Sequence, residues 1–198
     1  MKIRIIRYRK GVQSTLHLFL LLMLVSTPTF ASYESALSAY NNGEYATAFR
    51  EWRIMAIRGF KKPQYQLGEM YARGLGVPQN HVEAVRWYRH AALRGYPEAQ
   101  VELARRYFLG LGVKQDFEEA AAWAKIAVKA NHRDAMYLLG VLCLTGHGLE
   151  QDNALAYYWF GRAAEQGHNK AKETLSALTD RMPFGEVNRA KRMLSKNK

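Results

Sequence analysis

Displaced by 36 residues, the chain meets itself: Leu67, Leu103, Leu139 and Leu175 coincide, as do Gly74, Gly110 and Gly146. Gly76, Gly112 and Gly148 follow, then Gln79, Gln115 and Gln151, then Ala84, Ala120 and Ala156. Trp87, Trp123 and Trp159 fall in register, and so do Ala91, Ala127 and Ala163. So many coincidences at one period require a stack of similar units, each burying its apolar face against the next.

Each unit reads as two helices. In AQVELARRYFLG, Ala99, Leu103 and Tyr107 are spaced by four and share one helix face. Gly110 stands where a left-handed residue ends a helix. Gly112 allows a second unusual backbone angle, and Val113 is placed to plug the loop onto the core. Asp116 then opens the next helix as N-cap, with Glu119 completing a capping box. Asn80 and Glu83 repeat that box, whereas Asp152 is followed by Leu155 in place of the glutamate. In the second helix, Ala120, Trp123 and Ala127 are expected to form the inward stripe, and core packing is the expected role of all three periodic tryptophans.

The repeated loops YARGLGVPQN, YFLGLGVKQD and CLTGHGLEQD invite a phosphate-cradle reading. A dinucleotide fingerprint needs G-x-G-x-x-G after a strand. Here the sixth position is Gln79, Gln115 or Gln151, the preceding element reads as a helix, and no Walker lysine follows. The glycines therefore read as joints.

The two ends differ from the body. Residues 1–10 carry five basic residues and no acid, Leu16 to Val25 is almost wholly apolar, and small residues precede Ser32. That order is a secretory signal peptide cut after Ala31. The apolar run is short of the about 20 residues a spanning helix needs, so an uncleaved anchor is the lesser reading. Without a nearby cysteine, lipoprotein processing is excluded. Cutting there lowers the formal net charge from +12 to +7. Residues 181–198 hold six basic residues against Glu186, a net +5. The body is thus close to neutral, which argues against a nucleic-acid binder, whose folded face should carry a basic stripe.

Cys143 is the only cysteine. No internal disulfide is possible, and the residue reads as a small buried apolar group rather than a reactive thiol. His132 and His168 share a repeat position, yet neither H-E-x-x-H nor a Cys/His cluster occurs. No metal site and no cofactor is expected. Ser195 to Lys198 formally matches S-x-x-K, but the companion S-D-N and K-T-G motifs are absent.

The combined pattern resembles the Sel1-like repeat, a relative of the tetratricopeptide repeat with a longer loop between its helices. It is carried by QLGEMYARGLGVPQN with AVRWYRHAALRG, by ELARRYFLGLGVKQD with AAAWAKIAVKAN, and by LLGVLCLTGHGLEQD with ALAYYWFGRAAEQG. The resemblance implies an all-α solenoid divided into a signal peptide (1–31), a degenerate tetratricopeptide-like helix pair (32–62), Sel1-like repeats with one extra first helix (63–180), and a capping helix with basic tail (181–198). In the first pair, Ala48, Ala56 and Gly59 keep register with Ala84, Ala92 and Gly95. The final helix is expected to start near Gly185 and to cover the last apolar face, as solenoid ends must.

By analogy with tetratricopeptide superhelices, first helices line a concave groove. The groove positions are Tyr65, Glu69 and Ala72; Val101, Arg105 and Phe108; and Tyr137, Val141 and Leu144. This apolar strip implies a peptide or protein partner, and a periplasmic or secreted scaffold without enzymatic activity. A second reading is envelope tethering through the basic tail. A third is a β-lactamase-like hydrolase, as described for some cysteine-rich relatives.

Overall fold

A computed structural model describes residues 32–196. The expected signal peptide lies outside the described residues. Among them are ten helices and no strand: α1 (Tyr33–Asn41), α2 (Tyr45–Ile57), α3 (Lys61–Arg73), α4 (His81–Leu93), α5 (Pro97–Leu109), α6 (Phe117–Val128), α7 (Arg133–Thr145), α8 (Asn153–Glu165), α9 (Asn169–Thr179) and α10 (Phe184–Lys196). Helices α1 to α9 pack chiefly on their sequence neighbours, as in a solenoid, and α10 packs on α8.

The register read from the sequence becomes a ladder of buried rungs. Leu67, Leu103 and Leu139 are buried, and Leu175 is half-buried at the end of the series. Ala84, Ala120 and Ala156 and Ala91, Ala127 and Ala163 are fully buried, so each second helix sits close against its neighbouring first helices. Ala48 and Ala56 of α2 are buried like Ala84 and Ala92, which extends the ladder into the first helix pair.

The loop now has a physical account. Gly74, Gly110 and Gly146 end α3, α5 and α7 with φ of 71°, 69° and 73°. The glutamine five residues on folds back, and its Nε2 donates to the carbonyls of Ala72, Phe108 and Leu144 at 2.9, 2.9 and 3.0 Å. These are carbonyls that a helix end leaves without an intrahelical partner. The repeated glutamine is thus a C-terminal cap. The second glycine works between units. A Cβ on Gly76 would lie 2.6 Å from the Tyr45 carbonyl, and on Gly112 or Gly148 it would strike the backbone of His81 or Phe117. Tyr45, His81 and Phe117 are the first residues of α2, α4 and α6, so each loop rests on the second helix of the preceding unit.

Two expectations need correction. Asn80 and Asp116 do cap α4 and α6, each Oδ1 accepting two backbone N–H groups. The reciprocal half of the capping box does not form, because the Asn80 and Asp116 N–H groups already donate to Tyr71 and Tyr107 carbonyls across the loop. Glu83 turns to Arg86 instead. Second, Trp87, Trp123 and Trp159 are half-buried flankers. The deepest rung is the next residue: Trp52, Tyr88, Ala124 and Phe160, spaced by the same period, are fully buried. Trp123 and Trp159 bridge neighbouring clusters, between the Leu103 and Leu139 rungs and between the Leu139 and Phe160 rungs.

The stack ends on α10, whose Val187 and Ala190 are buried and whose Leu194 approaches Gly161. Glu186 accepts from Asn153 at 3.2 Å and Arg189 pairs with Asp152, so α10 runs parallel to α8 and packs on it rather than on α9.

Candidate functional site

Helical spacing puts Val101, Arg105 and Phe108 on one face of α5, and Asp134, Tyr137, Leu138 and Val141 on one face of α7. Between them opens a cleft of about 530 Å³, closed at one end by His168 and Lys170 at the start of α9. Its wall is apolar, from Val101, Phe108, Leu109, Tyr137, Leu138 and Val141.

The polar groups are few and fixed. The His168 ring stacks on Tyr137 at 4.5 Å. Its Nδ1 accepts the Ala171 N–H at 3.1 Å, which caps α9 and assigns the proton of the neutral ring to Nε2. Nε2 faces Asp134 Oδ1 at 3.7 Å. Arg105 is 48% exposed and reaches Glu102 at 3.3 Å. Burial raises the Glu102 carboxyl above its ordinary range, Arg105 opposes that, and Glu69 adds to it. Lys170 is exposed at the opposite lip.

Five of the expected groove residues, Val101, Arg105, Phe108, Tyr137 and Val141, thus line one cleft. Within it Val101 is only 3% exposed and belongs as much to the core, against Ala127 and Ala135. The other positions go elsewhere. Ala72 is buried. Tyr65 packs among Tyr88 and Tyr96, at 5.8 and 5.3 Å between ring centres. Glu69 accepts the Tyr88 hydroxyl at 2.7 Å and pairs with Arg73 at 2.9 Å. Leu144 lines a separate cleft of about 300 Å³ against α9 and the Arg181–Met182 segment that follows it. The expected strip is therefore divided: its α3 positions are taken up by the aromatic cluster, an ion pair and burial, and Leu144 by the second cleft. Asp134, His168 and Lys170 were not expected in the cleft. Asp134 and Lys170 share a repeat column with Glu98, a polar column facing the groove whose signal was present in the register.

Other candidates fit structure better than chemistry. Cys143 is buried at the base of a cleft of about 320 Å³ with Lys125, Leu149, Asp152 and Trp159. Burial pushes its thiol up to about 11, with Asp152 adding to the shift, so it is held as the unreactive thiol. The Ser195 hydroxyl donates to the Arg192 carbonyl at 3.0 Å, and Lys198 lies outside the described residues. Among the described residues no three His, Cys, Asp or Glu side chains converge as metal ligands.

The Sel1 repeat matches residues 64–96, 97–132 and 133–168, in step with the helix pairs α3–α4, α5–α6 and α7–α8. The fold is similar to a Sel1 repeat protein from Oxalobacter formigenes, with a TM-score of 0.69 and 33% identity over 73% of this chain. It is also similar to a protective antigen of uropathogenic Escherichia coli displaying an SLR fold, with a TM-score of 0.72 and 28% identity over 87% of this chain. The match spans 59% of the first structure and 37% of the second. No curated protein matches the chain.

Proposed function

Because the chain belongs to the Sel1 repeat family, whose members generally mediate protein–protein interaction, we propose that it is an exported, non-enzymatic scaffold holding a peptide segment of a partner protein between α5 and α7. The observation that carries this reading is the cleft: an apolar wall in which Phe108, Leu109, Tyr137, Leu138 and Val141 keep part of their surface open, rimmed by Arg105, Asp134 and Lys170. Its volume falls in the range of sites that enclose ligand groups. Apolar surface supplies affinity there, and a few fixed charges select orientation and partner. Arg105 is the natural anchor, since exposed arginine beside aromatic groups dominates many interfaces.

Arg105→Glu is therefore expected to weaken capture of the partner by about 2 kcal/mol, or roughly thirtyfold. Phe108 touches Phe117 edge-on at 5.5 Å, so Phe108→Ala should cost some stability as well as binding. The paired Arg105→Glu, Phe108→Ala variant should abolish capture with helical content retained. The measurement is recovery of crosslinked partners by wild type and by both variants, with circular dichroism as the check on folding. Equal recovery of the same partners would remove the cleft from consideration.

Export rests on the basic, apolar and small-residue order of the first 31 residues. No described helix is long and apolar enough to cross a membrane. Protein purified from a periplasmic or secreted fraction is expected to begin at Ser32 by N-terminal sequencing. A full-length amino terminus on the membrane fraction would mean an anchor instead.

A further inference from the structure

The outer face of α10 has no role in the stack. Val187, Ala190 and Leu194 turn inward, and Glu186 and Arg189 are tied to Asn153 of α8 and to Asp152, its N-cap. Phe184 and Lys191 are exposed together on one flank of the inward stripe, Arg192 is exposed opposite that stripe, and Arg181 is exposed just before the helix. Lys196 extends the face at its end. Arg181, Lys191, Arg192 and Lys196 make no ion pair among the described residues, and the only carboxylate of α10 points inward. Asp180, beside Arg181, leaves the face strongly positive. Phe184 is 82% exposed, the most exposed of the large apolar side chains described.

A terminal helix needs a polar outer face to keep a solenoid soluble. That need is met by charges of either sign and gives no reason for a bare phenylalanine. Basic residues around an exposed aromatic are instead the composition of a helix lying at a bilayer interface, cations at the headgroups and the ring at the acyl boundary. We propose that the outer face of α10 docks on an anionic lipid surface, with Phe184 inserted and Arg181, Lys191, Arg192 and Lys196 on headgroup phosphates. A soluble polyanion would engage the same cations but would have no use for the ring, which is why the lipid is favoured. The solenoid would then meet the membrane through its capping end, leaving the α5–α7 cleft to a partner.

The test uses the full chain with vesicles of phosphatidylcholine alone or mixed with phosphatidylglycerol. Changing Arg181, Lys191, Arg192 and Lys196 together to glutamine should reduce partitioning onto the anionic vesicles on the order of 1000-fold. Phe184→Ser should reduce it roughly tenfold. In Phe184→Trp, the introduced indole reports locally: its emission should shift to shorter wavelength on anionic vesicles and be quenched by brominated lipid. Its difference spectrum against wild type separates it from the four native tryptophans and from any membrane affinity of residues 1–31. An unshifted indole overturns the proposal, as does equal partitioning of wild type and the glutamine variant. Binding to polyphosphate that survives Phe184→Ser, with no spectral shift on vesicles, would assign the face to a soluble polyanion instead.

Discussion

Gly112→Ala is expected to destabilise the protein by about 2–6 kcal/mol. One part is backbone strain: Gly112 sits at φ 76°, where an L side chain costs about 1–3 kcal/mol. The other is overpacking, since the added methyl would drive into the His81 carbonyl at the start of α4; forcing atoms into filled space costs about 1–3 kcal/mol. Gly95→Ala separates the two. Gly95 has φ 71° but open space where its Cβ would stand, so only the strain applies. Thermal melting followed by circular dichroism should place Gly112→Ala well below Gly95→Ala, and Gly95→Ala modestly below wild type. Equal melting of the two variants would show that the loop does not rest on the preceding unit.

Phe160→Ala is expected to cost about 3–5 kcal/mol, the range for emptying a buried aromatic site. Phe160 is fully buried and fills the space left by Gly140, whose Cβ would come within 2.6 Å of its ring. Trp123→Ala, the larger truncation by volume, should cost less, about 2 kcal/mol, because its ring is half-buried and its removal lets solvent in rather than opening a sealed cavity. Denaturant unfolding of the two variants decides the order. A costlier Trp123→Ala would restore the tryptophans to the deepest rung.

The columns of the repeat show what sequence alone determined. Period, helix pairs, caps and loop glycines rest on local conformation, on the sign of φ or on a single N–H partner, and each can be read at its own position. The Sel1 resemblance and the all-α solenoid followed from them. The repeated Gln79, Gln115 and Gln151 were visible as a column, but their role required seeing the side chain fold back onto a carbonyl.

Packing depth was decided elsewhere. Trp87 and Tyr88 are adjacent, both aromatic and both periodic, and the pattern favoured the tryptophan. The facing helix chose the tyrosine. Gly68 accepts Tyr88 and Gly140 accepts Phe160, while in the middle unit Ala104 and Ala124 take up the corresponding positions. A glycine on one helix makes room for an aromatic ring on the other, whereas the middle unit sets two small residues in the same places, and a close-packed interior fixes depth by what faces each position. No single column records such a fit, because it depends on a pair of positions 20 residues apart in the chain. The cleft is of the same kind. Its apolar face on α5 was legible from spacing, but His168 and Lys170 enter only because α9 packs on α8 and brings its first turn over Tyr137. Local rules set the units; the closeness of their neighbours set what each side chain could reach.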